Sequence, residues 1–317
     1  MTLRQPESQQ SYFSEYLKLC GLQSQHLTCP VFVSENPVEI GSMPGISIAQ
    51  IRNLEEHVER IAERGIRSVI IFGVPTSRTA TGSIAADKAG IVQKTAKKIK
   101  ANFGSRLTVL TDVCVCQYNT SGHCGIVKNN DKIDNDRTLE LLVEVAASHV
   151  EAGADIVAPS AMMDGQVLAI RTALDDRSLS AGILSYSAKH SSSLYAPFRS
   201  AAFAKSKIAL DKSSYQISYA NARQAMREIE ADIEEGADMV MIKPALAYLD
   251  LIRKAKDTFG FPLAAQNVSG EYAMIKAAGM KGLIDEVEWK INVVGSIRRA
   301  GADRIISYFA TDIAEYL

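Results

Sequence analysis

The chain of 317 residues has almost no charge imbalance: 35 Lys and Arg against 36 Asp and Glu leave a net −1. Nothing in that balance points to nucleic acid or an anionic membrane as partner. No apolar run reaches the roughly 18 to 20 residues that a spanning helix needs. The opening stretch, MTLRQPESQQSYFSEYLKLCG, is polar and lacks the apolar core of a signal peptide. No Walker loop and no dinucleotide fingerprint occurs. Cysteine is scarce, and its count of five is odd. That argues against a secreted disulfide framework and for a reducing compartment, so a cytoplasmic protein is expected.

What the chain does have is a repeated phrase. ERGIRSVIIFGVP (63–75), EAGADIVAPS (151–160), EEGADMVMIKP (234–244) and RAGADRIISYF (299–309) share one grammar. A charged helical residue is followed by Gly, a polar step and a short apolar run. Gly65, Gly153, Gly236 and Gly301 read as residues just past a helix end, where positive φ is needed. The runs that follow are too short for helices and read as buried parallel strands. Four more segments share that character: 29–35, 107–115, 181–189 and 262–269. Amphipathic stretches at 48–64, 87–103, 135–152, 165–176, 219–236, 245–260 and 270–280 read as helices between them. Eight strands alternating with helices predict a (β/α)8 TIM barrel over 28–317, with a doubly wound open sheet as the alternative. Residues 1–27 read as an N-terminal arm, whose Tyr12, Phe13 and Tyr16 suit packing on another subunit.

In such a barrel, chemistry sits where the strands end on the C-terminal face. Lys243 ends the run DMVMI there. Desolvation would lower its pKa, and a neutral amine attacks a carbonyl carbon to form a Schiff base. The plainer reading is a lysine that snorkels to solvent or pairs with a carboxylate. Lys189 ends another strand; two amines in one pocket would depress each other's pKa, whereas alone it reads as a loop lysine. Cys114, Cys116 and Cys124 lie within eleven residues, with Asp112 at the edge. Three thiolates and an open position suit a catalytic zinc site. Redox pairs usually use C-x-x-C, which is absent, and buried inert thiols are the bland alternative.

These residues sit in longer phrases: SMPGI (42–46), TDVCVC…GHCG (111–125), EAGADIVAPSAMMDG (151–165), SYSAK (185–189), PFR (197–199), EEGADMVMIKPALAYLD (234–250) and NVSGEYAMIKAAG (267–279). Together they resemble the porphobilinogen synthase family, also called δ-aminolevulinate dehydratases, over residues 29–317. The resemblance implies a barrel with an arm, assembled as a homo-octamer or its dimer. It implies condensation of two 5-aminolevulinate molecules to porphobilinogen in tetrapyrrole (haem) biosynthesis.

By motif position, Lys189 and Lys243 match the two Schiff-base lysines, and Asp112 and Ser160 match polar residues near the reacting amine. Cys114, Cys116 and Cys124 match the zinc triad. Arg199 matches a substrate carboxylate clamp, with Phe198 walling the pocket. Ser269 and Tyr308 match binders of the other carboxylate. Glu228 matches an allosteric magnesium ligand of some members.

The chain also departs from the family pattern. The phrase DKSSYQ puts Lys212, beside Gln216, where the second clamp is normally arginine, which keeps the charge but loses the fork. Gln266 replaces a usual tyrosine. His190, Ala196, Ser121 and Gln117 are further changes. Lys212 and Gln266 motivate one alternative, a paralogue acting on a different γ-keto amino acid. A non-catalytic assembly protein is a third reading, weakened because both lysines are present. Members that use magnesium for catalysis replace the cysteines with acids, and this chain does not.

Overall fold

A computed structural model describes residues 9–36, 42–128, 132–203 and 211–317. Its barrel strands are β1 (Leu27–Ser34), β2 (Ser68–Gly73), β3 (Thr108–Val113), β4 (Ile156–Pro159), β5 (Gly182–Lys189), β6 (Met239–Lys243), β7 (Leu263–Asn267) and β8 (Arg304–Ser307). Each pairs in parallel with the next, and β8 pairs with β1 through Leu27↔Ile305 and Thr28↔Ile306. The sheet therefore closes into a (β/α)8 barrel rather than staying open. Both faces of every strand are covered, which is why β1 and β2 are buried along their whole length.

The repeated phrase has a mechanical role. Gly65, Gly153, Gly236 and Gly301 all have positive φ, from 78° to 123°, as the helix-end reading requires. In the three Gly-Ala-Asp copies, the aspartate pins its strand to the preceding one. Asp155 accepts from Val109 N (2.7 Å), Asp238 from Ile183 N (2.7 Å) and Asp303 from Leu263 N (2.9 Å). Each also pairs with a cation, Lys100, Arg171 or Lys256 respectively. These clamps lie at the strand starts, on the face away from the C-terminal mouth.

The helices are α1 (Gln9–Leu19), α2 (Leu54–Glu63), α3 (Ile91–Phe103), α4 (Asn135–Glu151), α5 (Gln166–Asp176), α6 (Ala196–Phe203), α7 (Ala222–Glu234), α8 (Leu249–Phe259), α9 (Ser269–Met280), α10 (Glu286–Ala300) and α11 (Ala310–Ala314). The helix expected over 48–64 begins instead as a short strand, Ile48–Gln50, paired in parallel with the end of β1.

Residues 1–8 of the expected arm lie outside the described residues. The rest of it, α1, packs on this chain's own barrel. Phe13 and Leu17 are buried, Phe13 meets Tyr316 edge-on, and Tyr16 Oη accepts from the Arg299 guanidinium at 3.1 Å. Tyr12 stays 52% exposed.

Candidate active site

At the C-terminal ends of the strands a cavity gathers Lys189, Lys243, Cys116, Cys124, Phe198, Arg199, Lys212, Gln216, Gln266, Ser269 and Tyr308. Lys189 and Lys243 are direct register partners on β5 and β6. Both are buried, at 7% and 8% exposure. Burial first, and Lys189 second, pull the Lys243 ammonium down to about 7. Its Nζ lies 4.9, 5.3 and 5.9 Å from the ring centres of Tyr186, Tyr195 and Phe198. Lys189 Nζ donates to the Ser160 carbonyl. Burial raises the Asp112 carboxyl, while Lys189, the Ser160 hydroxyl and Lys243 act against that rise. The end of β3 thus places an acid that both amines feel.

Just beyond β3 the chain turns back on itself. Asn119 holds the turn: its Oδ1 accepts from Gly122 N (2.6 Å) and from Ser121 Oγ (3.0 Å), and its Nδ2 donates to the His123 carbonyl. That fold brings the sulfurs of Cys114, Cys116 and Cys124 within 4.8 Å of one another, all buried. Zn–S bonds of about 2.3 Å would put tetrahedral sulfurs roughly 3.8 Å apart, so the spacing suits such an ion. Cys114 and Cys116, hydrogen bonding to Cys124, hold its thiol well below the usual range despite burial.

Segment 211–217 closes over this turn. Tyr215 Oη accepts from Cys124 N (3.2 Å) and lies 3.1 Å from His123 Nδ1. Lys212 is 5% exposed, and its Nζ donates to Cys124 Sγ at 3.2 Å. Burial alone would lower the Lys212 pKa, but the cysteines, Cys124 foremost, outweigh it and raise it. The residue at the clamp position therefore contacts a metal-ligand candidate.

The opposite wall comes from α6 and the β7 end. Phe198 packs on Phe32 and Phe72, and the Arg199 guanidinium lies 5.7 Å from the Tyr195 ring centre. Ser269 Oγ donates to the Leu194 carbonyl and accepts from Phe198 N, both at 3.1 Å. That close approach needs Gly270: a Cβ there would lie 2.6 Å from Leu194 backbone atoms. Glu271 accepts from Val268 N, Asn267 Nδ2 and Leu246 N, tying β7 to the loop after β6.

Gln216 and Gln266 each present a buried side-chain carbonyl without a partner among the described residues. His190 stacks on Tyr248 at 3.9 Å, and burial pulls its imidazole down to about 4. It does not line the cavity.

Glu228 is not brought to the cavity. It lines a second hollow with Asp164 and Asn135, which meets the cavity only through the shared Gln216, and burial followed by Asp164 raises its carboxyl. Sequence reasoning missed Tyr186, Tyr195 and Tyr215. Tyr195 Oη donates to the carbonyls of His190 (2.8 Å) and Lys243 (3.2 Å), joining the ends of the two lysine strands. Tyr186 and Tyr215 lie in phrases quoted above, SYSAK and DKSSYQ, and Tyr195 stands two residues before PFR.

A family model described as delta-aminolevulinic acid dehydratase matches residues 3–316. A delta-aminolevulinic acid dehydratase of Archaeoglobus fulgidus is 50% identical over 300 residues, 93% of this chain and 92% of that protein. One of Bacillus subtilis is 43% identical over 307 residues, covering 96% and 94%. The crystal structure of the Toxoplasma gondii ME49 enzyme, in complex with the reaction product porphobilinogen, superposes with a TM-score of 0.90. It is 38% identical and covers 93% of this chain and 86% of that one.

Proposed function

The chain belongs to the delta-aminolevulinic acid dehydratase family, and from that premise we propose which of its residues carry the porphobilinogen synthase reaction. The reaction condenses two 5-aminolevulinate molecules to porphobilinogen with loss of two waters, and the enzyme is a lyase. An altered substrate is not favoured, because relatives at 42–50% identity carry the dehydratase name.

The observation that carries the assignment of roles is the lysine pair. Lys243 and Lys189 stand side by side in register and line one cavity, and burial pulls the Lys243 ammonium down to about 7. Each amine attacks a substrate ketone and loses water to form a Schiff base, an electron sink for the bonds that close the ring. Asp112, which feels both amines, moves the proton between lysine and substrate amine. Arg199 offers a bidentate fork to one carboxylate, and Ser269 and Tyr308 hydroxyls receive the other. The unpartnered carbonyls of Gln216 and Gln266 accept N–H groups of substrate. Phe198 excludes water. Holding both molecules together supplies effective molarity.

Cys114, Cys116 and Cys124 would hold zinc, because an all-thiolate set is wrong for magnesium and right for a soft-accepting ion. When bound, that ion supplies Lewis acidity next to the second substrate. Glu228, away from the chemistry, is assigned to a magnesium ion at a subunit boundary. The enzyme works as a homo-octamer or its dimer in the cytoplasm. Borohydride reduction in the presence of 5-aminolevulinate, followed by peptide mass spectrometry, tests the lysine roles. An adduct on Lys243 is expected; an unmodified Lys243 after full reduction would contradict it.

A further inference from the structure

The facing of Lys189 depends on an irregularity in its strand. Residues two apart on a regular strand share a face. Ser185 points away from the barrel interior, since its Oγ donates to Asp232 Oδ2 on α7 at 2.6 Å. Regular alternation would send Ser187 and Lys189 the same way, out of the pocket. The register shows why Lys189 does not follow. Ser185 pairs with Val240 and Ala188 with Ile242, so β5 spends three steps where β6 spends two. The extra residue is a β-bulge at Tyr186–Ser187, and beyond it the facing is inverted. Lys189 then lines the cavity beside Lys243.

A bulge leaves ladder groups unpaired and needs outside support. Here that support is the part-buried Asp232. Ser187, on the bulge itself, donates its Oγ to the Ser185 carbonyl at 3.4 Å, and its hydroxyl also acts against the burial that raises the Asp232 carboxyl. The bulge is fully packed: Ser185, Tyr186 and Ser187 are 0%, 0% and 2% exposed. Asp232 is neither among the residues that line the cavity nor part of the cysteine cluster.

We propose that Asp232 is a positioning residue: through Ser185 and Ser187 it holds the β5 bulge that turns Lys189 into the pocket. The proposal rests on the Schiff-base reading of the two lysines. It is tested with wild type, Asp232→Ala, Asp232→Asn and Ser185→Ala, each reduced with borohydride in 5-aminolevulinate. Adducts on Lys189 and Lys243 are quantified separately by peptide mass spectrometry. Misplacing a reacting group by about 1 Å costs on the order of 10²-fold, so a fall of at least about tenfold in the Lys189 adduct relative to Lys243 is expected for Asp232→Ala. Ser185→Ala should show the same selective loss, and Asp232→Asn, which keeps an acceptor, should restore the wild-type ratio.

An unchanged ratio in Asp232→Ala would overturn the proposal. So would an equal loss at both lysines, which is what general loosening gives. If Asp232→Ala fails to fold, Ser185→Ala decides by the same ratio. If wild type gives no adduct at either lysine, the reaction reading fails by itself. Amide hydrogen exchange over residues 185–189, which needs no substrate, then decides the positioning claim. Faster exchange in the folded variant supports it, and unchanged exchange overturns it.

Discussion

At Lys243 a hydrophobic run of strand delivers an amine into a buried position beside a second amine, and its ammonium falls to about 7. The sign of the pH dependence follows. Below pH 7 the amine is protonated and cannot attack, so adduct formation should drop about tenfold per pH unit and level off above pH 7. A rate of borohydride-trapped adduct that is flat from pH 5 to 7 would contradict this. Lys243→Ala should lower pyrrole formation by at least about 10³-fold.

Lys212 raises a different question, because its ammonium donates to Cys124. Three thiolates and a divalent ion sum to one negative charge, which Lys212 offsets. Lys212→Met should therefore weaken zinc binding by about 10- to 100-fold, the usual effect of losing a partner of a metal ligand. Competition with a chromophoric chelator reads this without any turnover. The position of Lys212 in the pocket was legible from its phrase, but its sulfur partner was not. A hydrogen bond between residues 88 apart depends on how two loops fold together. Tyr195 and Tyr215 were illegible for the same reason, since each acts through one hydroxyl reaching across to another strand or loop.

Among the elements, the eight barrel strands were readable because each is a short apolar run after a glycine, an aspartate or a charged helix end. The exceptions have physical causes. Residues 48–50 look like the start of the helix that follows, since IAQ carries no pattern of its own. It is strand because the end of β1 offers a free edge there. Helix α10 went unnoticed although its signals are present: Asp285 caps it by accepting from Glu288 N, and Arg298 and Arg299 fill its last turn. The bulge in β5 has no sequence signature at all, because its cause is an aspartate on another element. The junction between β7 and α9 allows a direct test. Gly270→Ala should destabilise the fold by about 1–3 kcal/mol through overpacking against Leu194, read as a shifted denaturation midpoint. It should also lower activity, because Ser269 and Phe198 are tied to that contact.

For the molecule as a whole, the barrel's stability carries an acid-sensitive element far from the chemistry. His149 on α4 is 1% exposed, neither ring nitrogen has a partner among the described residues, and burial pulls it down to about 3. A histidine lowered on folding contributes stability that is complete above its unfolded value of about 6.5 and is lost as pH falls below it. Between pH 7 and pH 4 the loss from this one group is about 3 kcal/mol. His149→Leu should remove that much of the pH dependence, measured by denaturant unfolding at fixed protein concentration. An identical pH dependence in both proteins would contradict it.

The central claim is that the two neighbouring lysines perform the pyrrole-forming condensation. It is tested most directly by incubating the purified, zinc-supplied protein with 5-aminolevulinate and identifying the product by mass spectrometry. The expected result is porphobilinogen, the mass of two substrates less two waters, absent in Lys243→Ala. No pyrrole above that control would contradict the account.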